Sequence, residues 1–188
     1  MKPALIIVDM LKDTFRRHPE SPIVLECKKF IPFLNDFIDL FHAKNYPVVF
    51  ACDSFLPEDF IFRAGLKPHS LRGTEGSEPI DELHRSPSDH IVQKRRFSAF
   101  FKTDLDQTLR TLGVDRIFVS GIATNICVLT TALDAVSNDF SAVIMEQCCA
   151  AHNPEAHLAV IKAYKKTPLH PLLQVLNNKE CLELLKAQ

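Results

Sequence analysis

Short, fully apolar runs rich in branched residues alternate along this chain with longer stretches whose apolar residues recur at helical spacing. Ala4–Val8 (ALIIV) has the pattern of a strand buried on both faces, which a parallel sheet covered by helices requires. Phe30, Phe33, Leu34, Phe37, Ile38, Leu40 and Phe41 then fall on one helical face, and Lys44-Asn45 closes that helix. Pro47–Cys52 and His90–Gln93 predict a second and a third strand. Leu105, Leu109 and Leu112 mark an amphipathic helix ended by Gly113. Arg116–Ser120, Ser141–Glu146 and Leu172–Leu176 complete the expected strands, with helices over Asn125–Val136, Pro154–Tyr164 and Asn178–Lys186. The expected fold is therefore α/β: a three-layer, doubly wound sheet of five or six mostly parallel strands with helices on both faces. Residues 1–188 are expected to form one domain.

Composition removes several function classes. Lys and Arg number 22 against 23 Asp and Glu, a net charge of −1, so nothing favours nucleic acid or an anionic membrane as partner. The apolar runs are strand-length and too short to span a bilayer. Asp9 interrupts the first of them, unlike a secretory signal, so a cytoplasmic protein is expected. The six cysteines are then expected as free thiols, and no C-x-x-C pair suggests zinc. Cys27, Cys52, Cys148, Cys149 and Cys181 are expected mainly to pack.

The sixth cysteine is different. In RIFVSGIATNICVLTTALDA (116–135) an apolar strand breaks at Ser120, Gly121 and Thr124, and helical spacing begins near Asn125. Cys127 is thus predicted in the first turn of a helix, with Thr124 or Asn125 as its N-cap. Free amides and the helix dipole there favour a thiolate; the alternative is a small buried apolar side chain. Sites in open α/β sheets form beyond the carboxyl ends of the strands. That rule selects Asp9, Asp53, Lys94 and Cys127, after four successive strands. Asp9 suits a general base or a turn cap. Lys94 opens a cationic trio with Arg95 and Arg96, either a solvated patch or a lysine facing Cys127. No histidine is an obvious partner of the thiol, since His152 and His157 fall in or near a later helix. Between Asp53 and Pro79 lies a long loop with little periodicity, either a cover for a site or a surface excursion.

The combination IIVDM at 6–10, QKRRFSAF at 93–100 and SGIATNICV at 120–128 resembles the isochorismatase-like cysteine hydrolases, which include nicotinamidases and N-carbamoylsarcosine amidases. The resemblance runs from Lys2 to Tyr164. It implies Cys127 as nucleophile, Asp9 as general acid/base and Lys94 as third catalytic residue. It also implies a cis peptide before Ala123 and an oxyanion hole from the backbone N–H groups of Ala123 and Cys127. Phe15, Phe97 and Ile122 would line the substrate pocket, with Phe100 a further candidate. The implied reaction cleaves a C–N bond of a small carboxamide or carbamoyl compound through a thioester, nicotinamide being one candidate. A homodimer or homotetramer is implied too. Alternatives are isochorismatase-type vinyl-ether hydrolysis, a catalytically silent binding protein on this fold, and a redox-sensing thiol protein.

Two departures from the family pattern stand out. Nicotinamidases of this family bind a metal through an Asp-x-His pair after the second strand and a later histidine. Here Asp53 and His69 remain, but the middle position is Phe55, which leaves two ligands where catalytic zinc generally has three. The expectation is that no cofactor is required, or that a divalent metal such as zinc binds at Asp53 and His69. Many relatives also carry an aromatic residue five places after the catalytic aspartate. This chain has Thr14 there, with Phe15 one place on. Either a bulge returns Phe15 to the pocket or the pocket is more polar.

Overall fold

The computed structural model describes residues 1–187. Six strands form one sheet: β1 (Pro3–Val8), β2 (Val48–Asp53), β3 (His90–Lys94), β4 (Arg116–Ile122), β5 (Ser141–Ala150) and β6 (Leu173–Leu176). Their order is β3-β2-β1-β4-β5-β6, and every pairing is parallel. The helices are α1 (Lys12–Arg17), α2 (Pro22–Ala43), α3 (Leu105–Thr111), α4 (Leu129–Ser137), α5 (Pro154–Tyr164) and α6 (Asn178–Lys186). Alternate residues of the central strands feed two separate cores, as the pleat requires. Leu5, Ile7, Phe50 and Phe118 pack against Phe37 and Phe41 of α2 and Cys181 and Leu185 of α6. Ala4, Ile6, Val8 and Val119 pack against Leu109 of α3, Ala132 of α4 and Ile161 of α5. This is the expected three-layer arrangement.

The order reverses between β1 and β4, the place in such a sheet where sites form beyond the carboxyl ends of the strands. Gly121 lets the two strands meet there. Its φ is +99°, and a Cβ at that position would stand 2.1 Å from the carbonyl oxygen of Val8. Only glycine satisfies both demands.

Element boundaries depart from the sequence pattern for local reasons. α1 was not expected, because six residues are too few for a periodic signal. α2 begins at Pro22, well before its aromatic face, and ends as predicted near Lys44 and Asn45, where φ is +55° at Asn45. β5 runs to Ala150 rather than Glu146 because its pairing with β4 jumps from Val119↔Ile144 to Gly121↔Cys149. The segment after β4 is corrected most. It opens with a π-turn over Thr124–Val128, closed by the Val128 amide on the Ala123 carbonyl at 3.2 Å, and only then becomes α4. Neither Thr124 nor Asn125 caps it: Ala123 holds the cap position, without a side-chain bond.

The long loop after β2 is tied to α1. Buried Lys12 pairs with Glu75 at 3.2 Å and with Glu78 and Asp81 at 3.1 Å each. Asp13 accepts the Ser70 amide at 2.7 Å. Among the described residues, no helix is long and apolar enough to cross a membrane.

Candidate active site

Three strand ends meet at one buried ion cluster. The chain turns at Asp9, just past β1, with φ at +52°, a left-handed setting that aspartate tolerates better than most residues. Asp9 Oδ1 accepts the Asp53 amide at 2.8 Å, which fixes the carboxylate against the end of β2. Its Oδ2 accepts from Lys94 Nζ at 2.7 Å. Lys94, the last residue of β3, is fully buried. Its ammonium also donates to Asp53 Oδ1 at 2.6 Å and to the Arg96 carbonyl at 3.3 Å. All three of its protons are thereby used.

Cys127 completes the cluster from the π-turn, 9% exposed, with its thiol in the field of the Asp9 carboxylate. Burial and then the charge of Asp9 push this thiol well above its ordinary value, and Lys94 only partly offsets them. The helix mouth that favours a thiolate is thus opposed here by burial and by the Asp9 charge, both of which favour the thiol. Burial works against the Lys94 ammonium, but Asp9 and Asp53 outweigh it and hold its pKa above the usual lysine value. Asp53 is pushed up to about 7, by burial first and by Asp9 second, against the pull of Lys94. Near neutral pH Asp53 is therefore poised between its charged and neutral forms.

The remaining expected residues divide. The peptide between Ile122 and Ala123 is cis. The Ala123 carbonyl takes the amides of Ile126 and Val128, so Ala123 and Cys127 belong to one compact turn. Ile122 is buried in the α2-side core, and Phe15 packs against that same core. Phe97 is 45% exposed, whereas Phe100 lies in the opposite core, its ring 5.9 Å from that of Phe140. Phe100 is thus a packing residue. The other five cysteines are free and buried, and burial pushes Cys27, Cys148 and Cys181 up to about 12.

Asp53 and His69 do not fit a divalent metal. Asp53 Oδ1 already faces a cation, the Lys94 ammonium. His69 turns its Nδ1 to the Lys67 carbonyl at 2.9 Å, and its ring stands edge-on to Phe55 and Phe62 at 5.5 and 5.6 Å. Where a third ligand would stand, Phe55 forms an aromatic cluster that holds the loop together. Among the described residues, no three His, Cys, Asp or Glu side chains are grouped to hold a metal ion.

Three features escaped the sequence analysis. Asp53 is a second counter-ion of Lys94. Arg95 and Arg96 turn away from Lys94 and clamp buried Asp59, at 3.0 Å and 3.3 Å, which holds that carboxyl far below the usual range. No pattern marks Asp59, which follows Glu58 in an aperiodic loop. His157 is half-buried, and its Nδ1 lies 2.9 Å from the Thr124 hydroxyl.

Comparison with known proteins agrees with this architecture. The isochorismatase domain family matches residues 3–175. The isochorismatase family protein PncA of Bacillus subtilis is 36% identical over 56% of this chain and 59% of its own length. The chain thus spans little more than half the length of that curated relative. The solved isochorismatase-like hydrolase of Alkaliphilus metalliredigens superposes with a TM-score of 0.85 at 28% identity, over 98% of this chain and 100% of its own. The N-carbamoylsarcosine amidase of Thermoplasma acidophilum gives 0.80 at 32% identity, over 95% and 97%. With this sheet order and a family match across nearly the whole chain, the protein belongs to the isochorismatase domain family.

Proposed function

We propose that the protein is a cysteine-dependent amidohydrolase that cleaves a C–N bond of a small carboxamide or carbamoyl compound. One observation carries the reading: the buried Cys127 thiol feels the charge of Asp9, whose carboxylate is fixed by Lys94 and the Asp53 amide. A protonated thiol is a poor nucleophile, and a positioned carboxylate removes that handicap only at the moment of attack. As Sγ bonds to the carbonyl carbon, the thiol proton passes to Asp9. The amides of Ala123 and Cys127 are assigned to the resulting oxyanion, where loss of one donor typically costs about 3 kcal/mol. Asp9 then returns the proton to the departing amine, the C–N bond breaks, and a thioester remains. Water adds to the thioester, gives a proton to Asp9, and releases the acid as the thiol is restored. Lys94 keeps Asp9 oriented and balances the negative charge that builds up. Vinyl-ether hydrolysis needs no thiol nucleophile, so this arrangement favours amide cleavage.

The test is ammonia release over a panel of small substrates that includes nicotinamide and N-carbamoyl amino acids. The expected result is turnover of at least one compound, abolished by Cys127→Ala and by Asp9→Asn. Turnover retained by Cys127→Ala removes the mechanism.

A further inference from the structure

Thr124 is fully buried as the first residue of the π-turn that carries Cys127. A threonine at a helix start ordinarily turns its hydroxyl back on its own backbone. This hydroxyl instead crosses to another helix and meets Nδ1 of His157 on α5 at 2.9 Å. The π-turn itself is a rare geometry, usually a single turn within a helix. α5 is a firm support: Pro154 opens it, and Asn153 accepts the Glu155 amide at 2.9 Å. Burial lowers the His157 pKa and favours the neutral ring, against the pull of Glu146 and Glu26. Lys29 and Lys179 line the same open groove as the imidazole. A hydroxyl both donates and accepts, so Thr124 complements Nδ1 in either tautomer.

We propose that the Thr124–His157 hydrogen bond is a positioning device for Cys127, holding the π-turn where the thiol meets Asp9. Neither residue touches a reacting atom; both act through the turn. The inference rests on the reading of Cys127 as nucleophile. A misplacement of about 1 Å at a reacting group costs on the order of 100-fold in rate.

The experiment compares Thr124→Val, Thr124→Ser, His157→Ala and His157→Asn in the full-length protein. Asparagine places a polar atom close to where Nδ1 stands, and valine keeps the shape of threonine without the hydroxyl. One readout is the rate of iodoacetamide alkylation at Cys127, followed by peptide mass spectrometry; the other is kcat and KM on the amide turned over in the panel. Thr124→Val and His157→Ala are expected to slow alkylation and to lower kcat about 10- to 100-fold with KM nearly unchanged. Thr124→Ser and His157→Asn are expected to restore most of both. The proposal is overturned if Thr124→Val and His157→Ala behave like the wild type, or if the restoring variants fail as fully as the others. Should Thr124→Val not fold, the His157 pair decides on the same readouts. A Cys127→Ala variant that still turns over substrate instead overturns the nucleophile reading itself.

Discussion

Lys94 Nζ lies 2.7 Å from Asp9 Oδ2, an ion pair closed between residues 85 positions apart and almost wholly shielded from water. Such a pair is costly to break from one side, because the surviving charge is left buried. Lys94→Met is expected to lower stability by about 3–5 kcal/mol at pH 8, measured by urea unfolding. The loss should shrink toward pH 5, where Asp53 carries a proton and the two carboxyls no longer repel. A variant equally stable at both pH values would contradict this account of the cluster.

Asp53 supplies a pH signature. Its folded pKa, raised to about 7 from the ordinary 3.8, means that the folded protein binds the extra proton between those values. Stability therefore falls as pH rises through that window. Asp53→Asn is expected to remove this slope from unfolding curves taken between pH 4 and 8. The same ionisation adds a negative charge beside the anion that forms at Cys127. Accordingly, kcat/KM should decline above about pH 7 in the wild type, an inflection set by the raised pKa of Asp53 and absent from Asp53→Asn. An unchanged inflection in the variant would assign it to another group.

Gly121 is the mechanical joint of the site. Alanine there meets the Val8 backbone at 2.1 Å and adopts a φ of +99°. A loss of about 3 kcal/mol or more is expected for Gly121→Ala in urea unfolding. Stability within 0.5 kcal/mol of the wild type, roughly the level of an ordinary surface change, would show that β1 and β4 separate easily.

Metal dependence gives a further check. Because Lys94 already occupies Asp53 and His69 lies in an aromatic cluster, turnover is expected to be indifferent to prolonged dialysis against a chelator. Phe55→His is expected not to create a tight zinc site, as read by isothermal titration calorimetry with zinc. Loss of turnover on chelation, with recovery on adding zinc, would reverse this reading.

The strands and the residues at their ends were legible because each follows from a short-range pattern. ALIIV before Asp9 and RIFV before the turn to Cys127 read as buried strands from composition alone, and sheet topology then brings their ends together. Asp53 was legible as a strand-end residue but not as a partner of Lys94. That pairing depends on β2 and β3 being neighbours in register, where Asp53 stands opposite Lys94. The π-turn was hidden because apolar spacing over so few residues is compatible with an α-helix. The Thr124–His157 bond links residues 33 positions apart through one hydroxyl, and no periodicity encodes it. The thiol's protonation also lay beyond local reasoning. A helix mouth argues for thiolate, but burial beside Asp9 outweighs it.

Acid-quenched protein taken during steady-state turnover, digested and weighed by mass spectrometry, tests the central claim most directly. The Cys127 peptide is expected to carry the acyl group of the substrate as a thioester, and Asp9→Asn is expected to lack it. Full turnover with the Cys127 peptide unmodified throughout, and with Cys127→Ala as active as the wild type, would contradict covalent catalysis at this thiol.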